Sequence, residues 1–367
     1  MPSARAWPAP PFTRDGIDLN RRRRLFPRET FMTRITRRQA LASAGALAAT
    51  GLPLAAQASA ENAAANFPSK PIRIIVPYQA GGATDALSRL LGQHIGPDLG
   101  QPVVVDNKPG AGGILGTNEV AKSDPDGHTI SLGLTSTLLV NRFLYSKMPF
   151  DPARDLDMLY RPIDSGTLIA VHSGVPVKTL GELFKHIEAN RGKLSYGSYG
   201  LGSYPHLAGE RINQMTKGEM THAPYKGEAP MVQALLARDI DVGWGSVQVM
   251  KQFVDAGKLR VLAITGRERP PGMPDVPTFT EAGVNDDAFN IVGFFGMAVA
   301  AKTPDAIKQK LSNAIAKALS KPEVNARVAA MGFRANTNSS PQEFTALYKR
   351  ELPKWEALVK SVGVKLD

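Results

Sequence analysis

The sequence predicts an α/β protein of two lobes, and three observations lead there. Short apolar runs of strand length alternate with stretches of helical periodicity, glycine-rich loops join strand to helix, and the alternation occurs twice along the chain. The 367 residues carry no cysteine, which excludes disulfides and thiolate metal sites and leaves a core large enough to hold without covalent staples.

The first 60 residues differ in kind from the rest. Thr36-Arg37-Arg38-Gln39-Ala40-Leu41 runs into an uncharged stretch of small and apolar residues, 41–56. Ala56-Gln57-Ala58 and Ala58-Ser59-Ala60 then offer the small-x-small pattern that signal peptidase accepts. A spanning helix needs about 20 strongly apolar residues, whereas this run is shorter and broken by Gly51 and Pro53. A cleaved export signal is therefore expected. The Arg37-Arg38 pair suits the twin-arginine or the general secretory route. Met32 is a plausible true start, which leaves the Arg21 to Arg24 run as an artefact of the start or a disordered basic tail.

The leader also accounts for most of the formal charge of +11. Without it, 34 Lys and Arg face 30 Asp and Glu, a net +4. No basic stripe with interleaved aromatics remains, so a nucleic-acid partner is excluded.

After a linker at 61–66, Ile72-Arg73-Ile74-Ile75-Val76-Pro77 reads as a buried strand. The loop Gln79-Ala80-Gly81-Gly82-Ala83 leads into a helix with Leu87, Leu90, Leu91, Ile95 and Leu99 on one face, with Thr84 or Asp85 as its N-cap. Pro102 to Asp106 is the next strand, Gly110-Ala111-Gly112-Gly113 opens a second helix, and Thr129 to Leu132 is a third strand. This βαβαβ order implies right-handed crossovers and a parallel sheet with the strand-to-helix loops on one edge.

The second round runs from a helix at Leu180 to Ala189 into a strand at Leu194 to Ser198 and a helix carrying Leu207 and Ile212. His222 to Tyr225 and Ile240 to Trp244 continue that sheet, with a helix at Met231 to Ala237 between them. Leu168 to Val171 and Ile291 to Val299 are expected to cross between lobes. Ile307, Leu311, Ile315 and Leu319 share a helical face, and a last helix at Phe344 to Val359 packs back on the first lobe.

Loops at the carboxyl edge of parallel strands meet helix N-termini, whose free N–H groups and positive dipole end suit a carboxylate. Gly81 and Gly82 give a ligand access to that backbone, and Thr135, Ser136 and Thr137 can donate hydroxyl hydrogen bonds. Enzymatic constellations are missing: there is no G-x-S-x-G, H-E-x-x-H or G-K-[ST], and Gly200-Leu201-Gly202 lacks a third glycine. The chain is read as no enzyme, with no cofactor and no metal. An alternative is a ferric or other metal-chelate receptor, because Tyr196, Tyr199, Tyr204 and His206 cluster; strand alternation explains them more cheaply, with no carboxylate beside them. A periplasmic α/β hydrolase is the more distant alternative.

A set of ordered motifs spans residues 67–367. They include Phe67-Pro68-Ser69-Lys70-Pro71-Ile72-Arg73, Gly81-Gly82-Ala83-Thr84-Asp85, Asn107-Lys108-Pro109-Gly110-Ala111-Gly112-Gly113 and Pro125-Asp126-Gly127. Leu194-Ser195-Tyr196-Gly197-Ser198, His206-Leu207-Ala208-Gly209-Glu210, Pro224-Tyr225-Lys226-Gly227, Ala256-Gly257-Lys258-Leu259-Arg260 and Pro274-Asp275-Val276-Pro277-Thr278 follow in register. In these the chain resembles the Bug-type solute receptors of tripartite tricarboxylate transporters. That resemblance implies a type II periplasmic binding fold: two lobes, each a mostly parallel sheet flanked by helices, with a ligand cleft between them. Lobe one is expected at 67–166 plus 286–367 and lobe two at 167–285.

The resemblance further implies a periplasmic monomer that captures a small organic anion, commonly a carboxylate, and delivers it to membrane permease subunits. Its ligand-contact positions fall on Tyr78, Gln79, Ala80, Gly81, Gly82, Asp85, Thr135, Ser136 and Thr137 in lobe one. In lobe two they fall on Ser198, Tyr199, Gly200, Ser203, His206, Trp244 and Ser246. Three places depart from the family pattern: Tyr78-Gln79-Ala80, then Leu201, Tyr204 and Pro205, and Trp244-Gly245-Ser246. Gly245 stands where relatives tend to carry an Asp suited to an amine, which argues against an amino-acid ligand, and the aromatics suggest an apolar pocket wall.

Overall fold

A computed structural model describes residues 65–291 and 293–366. The expected leader, export signal, alternative start and most of the linker lie outside them. Two five-stranded sheets form the frame, in the orders β2-β1-β3-β10-β4 and β7-β6-β8-β5-β9.

The first sheet grows from β1 (Ile72–Val76), whose apolar residues are buried against both flanking layers. Helix α1 (Ala83–Leu99) returns the chain to β2 (Val103–Asn107), which pairs parallel to β1 with Ile72 opposite Val103. Leu87, Leu91 and Ile95 face the sheet, as their spacing requires, and Gly100 ends the helix at φ 74°. Helix α2 (Ile114–Ala121) leads to β3 (Thr129–Leu134), parallel to β1 on its other side. A π-helical turn at Ser136–Val140 follows directly. The parallel βαβαβ order expected from sequence is therefore present, and β4 (Leu156–Ser165) closes this part of the chain.

The second sheet opens with β5 (Leu168–His172), followed by α3 (Leu180–Ala189), β6 (Ser195–Ser198), α4 (Tyr204–Thr216) and β7 (Thr221–Pro224). Helix α5 (Glu228–Ala237), β8 (Val242–Gly245), α6 (Val247–Asp255) and β9 (Leu259–Ile264) complete it. Thr179 caps α3 by accepting from Glu182 N at 3.1 Å, while the Glu182 carboxylate accepts from Lys178 N at 2.6 Å. The chain then returns to the first sheet as β10 (Gly293–Ala300), and α7 (Asp305–Ser320), α8 (Pro322–Ala330) and α9 (Pro341–Val362) pack around it.

Two expectations change. Leu168 to Val171 and Ile291 to Val299 were expected to cross between lobes; instead β5 lies wholly in the second sheet and β10 wholly in the first. Each runs antiparallel to both neighbours, so one reversed strand sits among four that share a direction. The apolar runs are long because these strands are interior to their sheets, with helices on both faces. The crossings themselves are the short link Gly166-Thr167 and the segment between Ile264 and Gly293. They are bonded to each other: Thr265 N donates to the Thr167 carbonyl at 3.0 Å, and Thr167 N to Thr265 Oγ1 at 2.8 Å.

The second change is the cap of α1. The N-cap is Gly82, with no side-chain cap, rather than Thr84 or Asp85. Asp85 instead reaches back to accept from Gly81 N at 3.0 Å and pairs with Arg89 at 2.8 Å, so it fixes the glycine loop in place.

Helix α9 links core to cleft. Phe344 is fully buried and meets Phe294 of β10 edge-on at 5.1 Å. Phe344→Ala is expected to cost about 3–5 kcal/mol of stability, read as a shift of the urea unfolding midpoint with an unchanged m-value.

Candidate functional site

The carboxyl ends of β1, β3, β6 and β8 face one another across the crossings, and the lobes are closed on one another. Gln79 N of the first lobe donates to the Lys226 carbonyl of the second at 3.0 Å. Gly112, at φ +59°, lies so close to the Leu201 carbonyl that a Cβ there would overlap its oxygen. Only glycine permits this backbone contact between the lobes.

The closed lobes enclose a cavity lined by Tyr78, Gln79, Gly82, Thr84, Leu134, Thr135, Ser136, Ser165, Gly166, Thr167, Tyr199, Tyr204, Pro205, Glu228, Gly245, Ser246, Gly293, Phe294, Phe295 and Trp355. Its walls are largely aromatic, and its polar groups are hydroxyls, amides and the Glu228 carboxylate. Tyr78 and Ser136 hydroxyls meet at 3.1 Å, and burial pushes the Tyr78 phenol up to about 12. Burial likewise raises Tyr199 well above the ordinary phenol range, with the Glu228 charge adding to it. Thr135 ties β3 to β10, accepting from Phe294 N at 2.7 Å and donating to its carbonyl at 3.2 Å. Trp355 is buried, and its indole Nε1–H has no partner among the described residues.

Glu228 is the charged side chain in this wall. The residue as a whole keeps some solvent contact at its rim, but its carboxyl group is enclosed. One oxygen accepts from Ser246 N and from Ser246 Oγ, the latter at 2.7 Å; the other accepts from Ala83 N at 3.2 Å. Burial raises its pKa above the usual carboxylate value, against the lowering effect of those donors. The carboxylate thus bridges the starts of α1 in one lobe and α6 in the other, and neither helix has a side-chain cap of its own.

Of the positions expected from sequence, the cavity gathers Tyr78, Gln79, Gly82, Thr135, Ser136, Tyr199 and Ser246. Ala80 and Gly81 sit on the exposed rim of the loop, with Gly81 against Ala229, and Asp85 lies beneath it. Thr137 Oγ1 turns to the Leu134 carbonyl at 3.0 Å. Ser203 is buried outside the wall, and Gly200, at φ +132°, packs on Gly112. Trp244 lies behind Gly245, fully buried and parallel to Phe279 at 6.2 Å.

Ser198 and His206 belong to a network behind the wall. Ser198 Oγ meets His222 Nε2 at 2.7 Å, His206 stacks on His222 at 4.0 Å, and Gly202 N donates to His206 Nδ1 at 3.1 Å. Tyr196 donates to Glu210 at 2.6 Å, so a carboxylate does stand beside the tyrosine cluster, contrary to expectation. Tyr204 donates to the Ala288 carbonyl at 2.8 Å. These polar atoms are occupied within the protein, which leaves the ferric alternative no ligand set. Sequence reasoning missed Glu228, Trp355, Phe294 and Thr167. Glu228 had a signal, since it follows Pro224-Tyr225-Lys226-Gly227 at a strand-to-helix joint.

Two α/β lobes closing an aromatic cavity at their strand ends, joined by two crossings and holding no catalytic constellation among the described residues, define a solute-binding receptor. The chain belongs to the tripartite tricarboxylate transporter receptor family: the model described as "Tripartite tricarboxylate transporter family receptor" matches residues 74–364. This is a family of periplasmic receptors rather than enzymes, and no helix among the described residues is long and apolar enough to cross a membrane.

A UPF0065 protein from the tcbD-tcbE intergenic region of Pseudomonas sp. strain P51 is 34% identical over 293 residues, 80% of this chain and 86% of that one. The periplasmic binding protein BugD superposes with TM-score 0.77 at 31% identity, covering 82% of this chain and 99% of its own. A Rhodopseudomonas palustris protein solved with adipate gives 0.77 at 30% identity over 82% and 99%. MatC from Rhodopseudomonas palustris, solved with malate, gives 0.75 at 29% over 80% and 100%.

The stacked histidines generate a pH dependence. Burial lowers His206 below 6.5 and His222 to about 3, with the charge of His206 adding to the second shift. A base whose folded pKa is depressed leaves stability intact above its unfolded value, and protonation removes it as pH falls below that value. Thermal stability is therefore expected to fall progressively from about pH 6.5 towards 3, and His222→Asn is expected to flatten that profile.

Proposed function

We propose that the protein is an extracytoplasmic receptor that captures a small organic carboxylate in the interlobe cavity and presents its closed form to the permease of a tripartite tricarboxylate-type transporter. The observation that carries this is the cavity itself, lined by both lobes and supplied with hydroxyl donors near strand ends and with the Trp355 indole from α9. The adipate and malate held by the two Rhodopseudomonas palustris proteins support a carboxylate. Tyr78, Gln79, Gly82, Thr135, Ser136, Tyr199 and Ser246 are the proposed contacts, joined by Thr167, Glu228 and Trp355. The remaining sequence-selected positions act by shaping the loops that carry these contacts.

The lobes are proposed as 67–166 plus 286–367 and 167–285, working as a monomer after removal of an N-terminal signal. Intact mass of the exported protein reads the cleavage site directly, and Arg37→Lys with Arg38→Lys separates the twin-arginine from the general route. Closure about the two crossings couples solute binding to recognition by the membrane partner.

Calorimetric titration with a panel of organic acids and amino acids tests the reading, together with the mass of any solute that copurifies. Tyr199→Phe removes one donor and is expected to weaken binding about tenfold, in line with roughly 1–1.5 kcal/mol for one hydrogen bond. Gly112→Ala obstructs the backbone contact between lobes and is expected to weaken binding at least as much while leaving the unfolding midpoint within about 1 kcal/mol of wild type. Failure to bind any carboxylate, alongside a positive hydrolase screen, would sink the proposal.

A further inference from the structure

We infer that Glu228 fills, with the protein's own carboxylate, the seat that a second solute carboxylate would take, so that the cavity selects monocarboxylates with an apolar or aromatic body over dicarboxylates. The inference rests on the carboxylate reading above and names the subclass.

The seat is defined by geometry. Helices α1, α5 and α6 begin around one point, with N-caps Gly82, Gly227 and Ser246 and no side-chain cap hydrogen bond at any of them. Free N–H groups and the positive ends of helix dipoles make such a point an anion site. Glu228 already occupies it, accepting from Ala83 N, Ser246 N and Ser246 Oγ. A carboxylate has about four acceptor positions, so three of them are spent on the two lobes.

Charge then decides what else fits. No Lys or Arg lines the cavity among the described residues. A second carboxylate beside Glu228 would meet a like charge in an enclosed space with no counter-ion, and such an arrangement is strongly disfavoured at low effective dielectric. Away from Glu228 the donors are uncharged: the Tyr78 and Ser136 hydroxyls and the unpartnered indole N–H of Trp355. They serve one carboxylate. Between the two ends the wall is Tyr199, Tyr204, Phe294 and Phe295, which suits a hydrocarbon or ring.

The test compares hexanoate with adipate, which share a six-carbon chain and differ by one carboxylate. Wild type, Glu228→Ala and Glu228→Gln are titrated by calorimetry, with thermal unfolding as the folding control. Glu228→Gln keeps the side-chain size, so it reports on charge even where the alanine variant does not fold.

Wild type is expected to bind hexanoate at least tenfold more tightly than adipate, and the variants to shift that ratio towards adipate by tenfold or more. Tighter binding of adipate by wild type, or a ratio unchanged in the variants, overturns the inference and leaves the carboxylate reading intact. Binding of neither acid by any of the three proteins overturns this inference, while the carboxylate reading falls only if the wider panel of organic acids also fails to bind.

Discussion

The structure depends on a single convergence: three helices begin at one point between the lobes, and their unpaired backbone N–H groups need an acceptor. Buried amide donors left without partners cost about 1–3 kcal/mol each. In this protein Gly82, Gly227 and Ser246 occupy the three N-caps without a local side-chain cap, and the Glu228 carboxylate serves two of the helices at once. Gly227, at φ +145°, lets α5 begin close against the other lobe, where a Cβ would lie 3.3 Å from the Gln79 backbone nitrogen. A helix start that is satisfied from the opposite lobe makes closure part of the fold rather than an addition to it.

Closure otherwise rests on backbone contacts and on the packing of α4 against α9, where Leu207 is fully buried in the first lobe's core among Leu144, Trp355 and Leu358. The backbone bond from Gln79 to Lys226 and the approach of Gly112 to Leu201 bring main chain against main chain. The edge-on contact of Tyr204 with Trp355 at 5.8 Å carries the aromatic wall from α4 to α9. The two crossings, bonded to each other through Thr167 and Thr265, form a narrow paired hinge at the floor of the cavity. On the proposed reading, a solute lying on Thr167 would touch the link between the lobes, which would couple occupancy to shape.

Much of the frame was legible because helical and strand periodicities are local. Ile72–Val76 and Ala83–Leu99 stand where their apolar spacing puts them. The strands β4 and β9 were missed: Leu156–Ser165 mixes Asp157, Arg161 and Asp164 into its run, and it is a strand because β10 offers it a partner. The reversed strands β5 and β10 were recognised as apolar but misassigned, since an interior strand and a lobe-crossing strand have the same composition. Glu228 escaped for a related reason. An acid at the first turn of a helix is ordinary, and only the approach of α1 and α6, each distant in sequence, turns it into the charge of the cavity.

The loop expected to supply most of the second lobe's contacts serves another purpose. Ser198 and His206 turn their polar atoms into the lobe, where Ser198 meets His222 and His206 stacks on it, while Ser203 is buried and Gly200 packs on Gly112 of the first lobe. Tyr196 and Glu210 extend the network behind the strand. These bonds hold the β6 to α4 turn rigid, and its one side chain in the wall is Tyr199, flanked by Tyr204 and Pro205 from the start of α4. Ser198 Oγ is taken up by His222 and the Gly200 carbonyl, and Ser203 Oγ is buried with no partner among the described residues, so the turn presents ring faces to the cavity. A polar motif in sequence thus becomes an apolar surface in the fold, and the charge balance of the cavity is left to Glu228 alone.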